Sequence, residues 1–231
     1  TVFMYHKFGV SKYPSTSVTI DQLNSHIEEL TKEKYKIKSL DFIIDTILND
    51  GDLPENTIGI SVDGADKSFL EVGWPLFKKN NIEGKLFNIG YQKELNRIKS
   101  SPDKDIDVLF YGSINPRRKH IIDKLIENKI KVKTVFGVYE KERDILIANS
   151  KLVLNMHMYD SKIFEIIRVF YLLTNGITVV SEVGSDTKSN NKYLDSICAC
   201  EYEQICEKII YLIENDKERK DIGMKGLDLS L

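Results

Sequence analysis

The chain has 231 residues and a mass of 26.6 kDa, enough to bury a sizeable core as one large domain or two smaller ones. Its 42% hydrophobic and 29% charged residues are ordinary for a soluble globular protein, and no apolar run is long enough to span a membrane. With 33 basic residues against 35 acidic, the balance gives no general argument for a nucleic-acid or membrane-surface partner, so any anion site must be local.

In chain order, the apolar run Val2-Phe3-Met4-Tyr5 reads as a strand within residues 1–8. Thr19-Ile20-Asp21-Gln22 is a capping box, with Ile20, Leu23, Ile27 and Leu30 at helical spacing behind it, and predicts a helix to about Lys34. Ser39 can cap a second helix carrying Phe42, Ile43, Ile47 and Leu48, ended by Gly51. Ile58, Ile60 and Val62 alternate in a strand that runs into Asp63-Gly64-Ala65-Asp66, and a third helix follows through Phe69, Trp74 and Phe77, bent at Pro75. The polar stretch 92–104, centred on Ser100-Ser101-Pro102-Asp103, is the best linker candidate, separating residues 1–91 from residues 105–231.

Beyond it the rhythm becomes a regular alternation. Strands are predicted at 107–111, 132–136, 152–156 and 177–181, with helices at 117–128, 140–148 and 163–174 between them and a helical pair from Glu203 to the end. The fold expected from this is α/β, a Rossmann-like parallel sheet with helices on both faces. Such sheets bind ligands outside the carboxyl ends of their strands.

The segment Gly112-Ser113-Ile114-Asn115-Pro116-Arg117-Arg118-Lys119-His120 is the most informative. Gly112 ends a strand, Asn115 suits the helix N-cap and Pro116 the first helical position. Four cationic or potentially cationic residues then fill the first turn, each mildly unfavourable there by roughly 0.3–1 kcal/mol at the surface. An anion on the free N–H groups, clamped by Arg117 or Arg118, would remove the conflict; acidic neighbours would do so as well. His157 stands just past the strand ending at Met156, where it either faces a ligand or only closes the strand. Glu165 and Arg168 share a helix face, serving either ribose hydroxyls or only each other.

Asp63 and Asp66 follow a strand directly, at a place suited to catalytic carboxylates or to capping the next helix. No two of His6, His26, His120 and His157 lie three to five apart, so a helical or turn His pair for a metal is excluded. Cys198, Cys200 and Cys206 lack the spacing of a zinc or redox motif, and the first two, sharing a strand face, read as small buried apolar residues. No signal peptide precedes Thr1, and a chain starting at Thr reads as a fragment; we expect a cytoplasmic protein.

Residues 107–182, from Asp107-Val-Leu-Phe-Tyr-Gly-Ser-Ile-Asn-Pro-Arg-Arg through Phe164-Glu-Ile-Ile-Arg to Val-Val-Ser-Glu182, resemble the donor-binding domain of GT-B glycosyltransferases, nearest to family-1/4, spore-coat-like transferases. The likeness extends more weakly from about residue 86 to the end. It implies that this domain holds a nucleotide sugar through Gly112, Arg117, Arg118, His157, Glu165 and Arg168, with a glycan as acceptor and neither metal nor other cofactor. That family usually places a Glu five residues before the Gly that is Gly176 here; this chain has Tyr171 there, with Glu165 six residues earlier.

Residues 3–82 resemble the start of a polysaccharide deacetylase, on Met4-Tyr5-His6, Tyr13-Pro14, Ile60-Ser61-Val62-Asp63-Gly64 and Trp74-Pro75. That resemblance makes Asp63 a general base, but the neighbouring metal-ligand position is Gly64 and the family's His-x-x-x-His pair is absent. Residues 1–91 are thus expected to be a truncated segment of that kind. The function expected for the whole is a glycosyltransferase-like protein of cell-surface polysaccharide biosynthesis. Its rivals are an N- or O-acetyl deacetylase and a non-catalytic carbohydrate- or nucleotide-binding pseudoenzyme.

Overall fold

The capping box at Thr19 starts a helix as its chemistry demands: the Thr19 hydroxyl accepts from Gln22 N–H at 3.1 Å and Gln22 Oε1 accepts from Thr19 N–H at 2.9 Å. The computed structural model describes every residue except 11, 13, 65, 86–90, 159–163, 185–193 and 231. It divides into two compact units, Thr1–Phe87 and Asn88–Leu231.

In the first unit, β1 (Val2–Tyr5), β2 (Lys7–Phe8), β3 (Ser17–Val18), α1 (Ile20–Leu30), β4 (Lys36–Ile37), α2 (Leu40–Leu48), β5 (Thr57–Val62) and α3 (Trp74–Lys79) follow in order. Strands β1, β5 and β4 form a three-stranded sheet in that order, all parallel, and β2 pairs with β3. The single strand expected over 1–8 is broken at His6. Helix α1 stops at Leu30 rather than Lys34, because Leu30 is its last apolar position and Thr31 turns its hydroxyl back to the Ile27 carbonyl at 2.8 Å. A π-helical turn over Phe69–Gly73 precedes α3, and Pro75 sits in the first turn, where its missing N–H costs nothing. Gly73 is required there, since a Cβ would stand 2.9 Å from the Phe8 ring. Tyr5, Phe8, Leu23, Ile27, Phe77 and Ile82 make the core of this unit.

The second unit contains β6 (Ile106–Tyr111), α4 (Pro116–Glu127), β7 (Val132–Val135), α5 (Glu140–Ala148), β8 (Ser150–Asn155), α6 (Ile166–Thr174), β9 (Val179–Glu182), β10 (Cys198–Cys200), α7 (Ile205–Glu214) and α8 (Asp216–Ser230). The five strands pair in parallel throughout, in the order β10-β9-β8-β6-β7. Alternate residues of the central strands face opposite ways. Val108, Phe110, Leu152 and Leu154 pack with α4 and α7 on one face, while Leu109, Val153 and Val179 pack with α5 and α6 on the other. This is the α/β Rossmann-like architecture, with helices on both faces.

Cys198, Cys200 and Cys206 pack on the first of these clusters as free thiols, and burial pushes Cys200 up to about 12. Residues 92–104, expected to be a linker, belong to the second unit. Asn175 Oδ1 accepts from the N–H groups of Arg97 and Ile98, both at 2.9 Å, and Arg97 Nε donates to Asp144 at 2.9 Å. Of the helix expected from Ile163, α6 begins at Ile166, and Ile163 itself lies outside the described residues.

Candidate functional site

In a sheet ordered β7-β6-β8-β9-β10, the chain leaves β6 for its neighbour on one side and returns to place β8 on the other. The topological switch point therefore lies between the carboxyl ends of β6 and β8, where such sheets bind ligands. Most of the residues singled out in residues 105–231 meet there.

Gly112 follows β6 with φ +150°, a conformation that L side chains rarely adopt. A Cβ on it would lie 3.6 Å from Arg168 Nη2 and 3.7 Å from Arg118 Nη1. Asn115 caps α4 by accepting from Arg118 N–H at 2.9 Å, and its side-chain amide donates to the Met158 carbonyl at 3.1 Å. The cap thus ties the loop after β6 to the loop after β8.

The two adjacent arginines have different tasks. Arg118 is 3% exposed. It donates to the Ser113 carbonyl at 2.9 Å, to the His157 carbonyl at 3.3 Å and to the Met156 carbonyl, and stands 3.4 Å from Glu165 Oε1. Burial holds its pKa below the ordinary arginine value, against the pull of Glu165, yet a guanidinium stays charged. Arg117 is the accessible one, its side chain 31% exposed. Both its terminal nitrogens grip the carboxylate of Glu182, one of them at 2.8 Å, and its guanidinium lies 3.8 Å over the Tyr202 ring. That bidentate pairing raises its pKa further. Tyr202 completes the clamp by donating its hydroxyl to the Arg117 carbonyl at 2.7 Å.

Glu165 and Arg168 form the expected pair at 2.7 Å, and Arg168 also donates to Asn155 Oδ1 at 3.1 Å while lying 5.1 Å over the Tyr111 ring. Burial pushes Tyr111 up to about 12, with Arg168 opposing it. His157 is buried at 2%; its main chain is the hub, its N–H donating to Glu182 at 3.1 Å and its carbonyl accepting from Arg118. Lys119 turns away to pair with Asp123, and His120 is exposed. Tyr171, in the position where the transferase pattern has Glu, donates to Asp144 at 2.6 Å and lies under Arg143, so it faces α5.

Sequence reasoning did not single out Glu182, Tyr202 or Asn155. Glu182 had a signal: a carboxylate closing the apolar run Val179-Val180-Ser181 at the carboxyl end of a buried strand. Tyr202 had none, because it reaches Arg117 from 85 residues away.

Asp63 belongs to the first unit. It is 62% exposed and lies 3.5 Å from His6 Nε2, across the carboxyl ends of β5 and β1. Asp66 accepts from the Ser68 hydroxyl at 2.6 Å and N–H at 3.0 Å, which lowers its pKa. Among the described residues, no three His, Cys, Asp or Glu gather closely enough to hold a metal ion, and no helix is long and apolar enough to cross a membrane.

Fold and site together define a doubly wound α/β domain whose switch point, among the described residues, carries three guanidiniums, Arg117, Arg118 and Arg168, against two carboxylates, Glu165 and Glu182. No family model matches the chain. It is similar to Uncharacterized protein L140 of Acanthamoeba polyphaga mimivirus, at 31% identity over 140 residues, covering 57% of this chain and 46% of that protein. Uncharacterized proteins L138 and R358 of the same virus are each 31% identical, over 53% and 57% of this chain and 14% and 48% of their own lengths. The chain thus spans less than half the length of these relatives. Among solved structures, the crystal structure of TarM is 14% identical, with a TM-score of 0.44, covering 91% of this chain and 43% of that one.

Proposed function

We propose that the second unit binds the diphosphate of a nucleotide sugar at this crevice, and that the protein is glycosyltransferase-like, acting on a glycan acceptor in cell-surface polysaccharide biosynthesis. The observation that carries the reading is that, among the described residues, the switch point holds three guanidiniums against two carboxylates, beside a glycine whose missing side chain leaves room in front of Arg168. Arg117 and Arg168, both partly exposed, would meet the phosphates, and Glu165, 30% exposed, would accept hydroxyls of the ribose or sugar. Arg118 is spent on backbone carbonyls and holds the two loops in register. In glycosyl transfer, negative charge develops on the departing diphosphate, and pre-placed guanidiniums stabilise it without a metal. A wider hollow of about 520 Å³ at the α7–α8 turn is lined by Glu214, Asn215, Asp216, Lys217, Glu218 and Asp221, and four carboxylates to one ammonium suit no anion.

Calorimetric titration of UDP and GDP tests the proposal. Arg117→Lys keeps the charge but loses the planar fork, and charge-assisted hydrogen bonds contribute about 1.5–3 kcal/mol. We expect Arg117→Lys to weaken binding roughly tenfold or more, and Arg168→Lys to do the same. Absence of nucleotide binding by the parent protein, or parental affinity in both variants, would refute it.

A further inference from the structure

Next to the cation-rich crevice the rim of the sheet changes character. Phe136 directly follows β7 and is 74% exposed; Tyr139, three residues on, is 71% exposed. Two exposed aromatic rings three residues apart at one strand end offer flat faces on which a planar ligand can stack. The backbone around them is specialised as well. Gly137 has φ +72°, and Glu140, the first residue of α5, has φ +46°, an unusual conformation for a residue with a side chain. This strained turn holds both rings outward, away from the core.

Phe136 forms one wall of an open hollow of about 360 Å³ between the carboxyl ends of β6 and β7. Ile114 and Val135 supply other apolar walls, and Gly112 and Ser113 supply the floor that the hollow shares with the crevice. Among the described residues, no charged side chain lines it. The carboxylate able to take sugar hydroxyls, Glu165, is paired with Arg168, which also bonds Asn155 at the end of β8, on the far side of β6 from β7.

We propose that this hollow is the subsite for the base of the nucleotide, with Phe136 as its stacking platform. The inference rests on the reading of the crevice as a diphosphate site. A flat, largely uncharged π-ring needs apolar walls and an aromatic face, which the hollow offers. A hydroxyl-rich sugar needs carboxylates and amides, which it does not. The ligand then lies across the switch point, with its base beside β7, its phosphates over Gly112 and its sugar toward β8 and β9.

The test compares UDP, UDP-glucose and inorganic pyrophosphate on the parent protein, Phe136→Ala and Phe136→Trp, by calorimetry and fluorescence. Base–aromatic stacking corresponds to roughly a five- to hundredfold change in affinity on removal of the ring. Phe136→Ala is therefore expected to lose that factor for UDP and for UDP-glucose alike, with pyrophosphate affinity unchanged. Phe136→Trp is expected to restore UDP affinity, and its added indole emission should be quenched by UDP and not by pyrophosphate, the parent's Trp74 serving as the baseline. Pyrophosphate binding with unchanged UDP affinity in Phe136→Ala overturns the base subsite and leaves the crevice reading standing. Loss confined to UDP-glucose overturns it in favour of a sugar against Phe136. Binding of neither pyrophosphate nor UDP by the parent overturns both.

Discussion

Removing either partner of the Arg117–Glu182 pair should cost very different amounts, because the two are not equally buried. The Glu182 side chain is fully buried, whereas Arg117 is 31% exposed and rests on the Tyr202 ring. In Arg117→Met the carboxylate keeps, among the described residues, one hydrogen-bond donor, His157 N–H at 3.1 Å. Breaking a buried pair this way typically costs about 3–5 kcal/mol. In Glu182→Gln the amide oxygen can still accept from His157, and the freed guanidinium can turn toward water, so the cost falls to about 1–2 kcal/mol. The double variant strands no charge and should be more stable than Arg117→Met alone, a coupling of about 2 kcal/mol or more. Urea unfolding followed by far-UV circular dichroism measures all four proteins; fluorescence would not serve, since the single Trp74 belongs to the first unit. Equal costs for the two single variants, or simple additivity in the double variant, would refute the assigned asymmetry.

Two further outcomes follow from the packing. Burial pushes Asp107 up, but Lys151 Nζ at 2.7 Å and Lys131 N–H at 2.9 Å outweigh it and leave its pKa below the ordinary value. Its contribution of about 1–2 kcal/mol should be complete above the unfolded value of about 3.9 and vanish as pH falls through the folded one; Asp107→Asn should flatten acid unfolding curves, and an unchanged curve would count against it. Gly223→Ala would place a Cβ 2.5 Å from the Gly176 carbonyl oxygen, forcing α8 off the turn after α6. Overpacking of about 1–3 kcal/mol exceeds the helix-propensity gain of about 1 kcal/mol, so the melting temperature should drop by several degrees, while Ala at the exposed Met224 should leave it near the parent's.

Local chemistry determined a large part of this protein by itself. The alternation after residue 105 implied a parallel sheet, since strands of this spacing joined by helices can be bridged only by crossovers. The caps at Thr19, Ser39 and Asn115 are hydrogen bonds within three residues, so they can be read without knowing the rest of the fold. The crowd of cations after Asn115 marked the crevice, because a helix N-terminus repels them and something must compensate. What compensates was beyond the sequence. Glu182 and Tyr202 arrive from 65 and 85 residues away, brought beside Arg117 by the strand order. Only the tertiary structure separated the adjacent arginines, sending Arg118 inward to carbonyls and leaving Arg117 at the surface. Residues one apart on a helix point about 100° apart, and which direction is inward depends on the sheet they pack against.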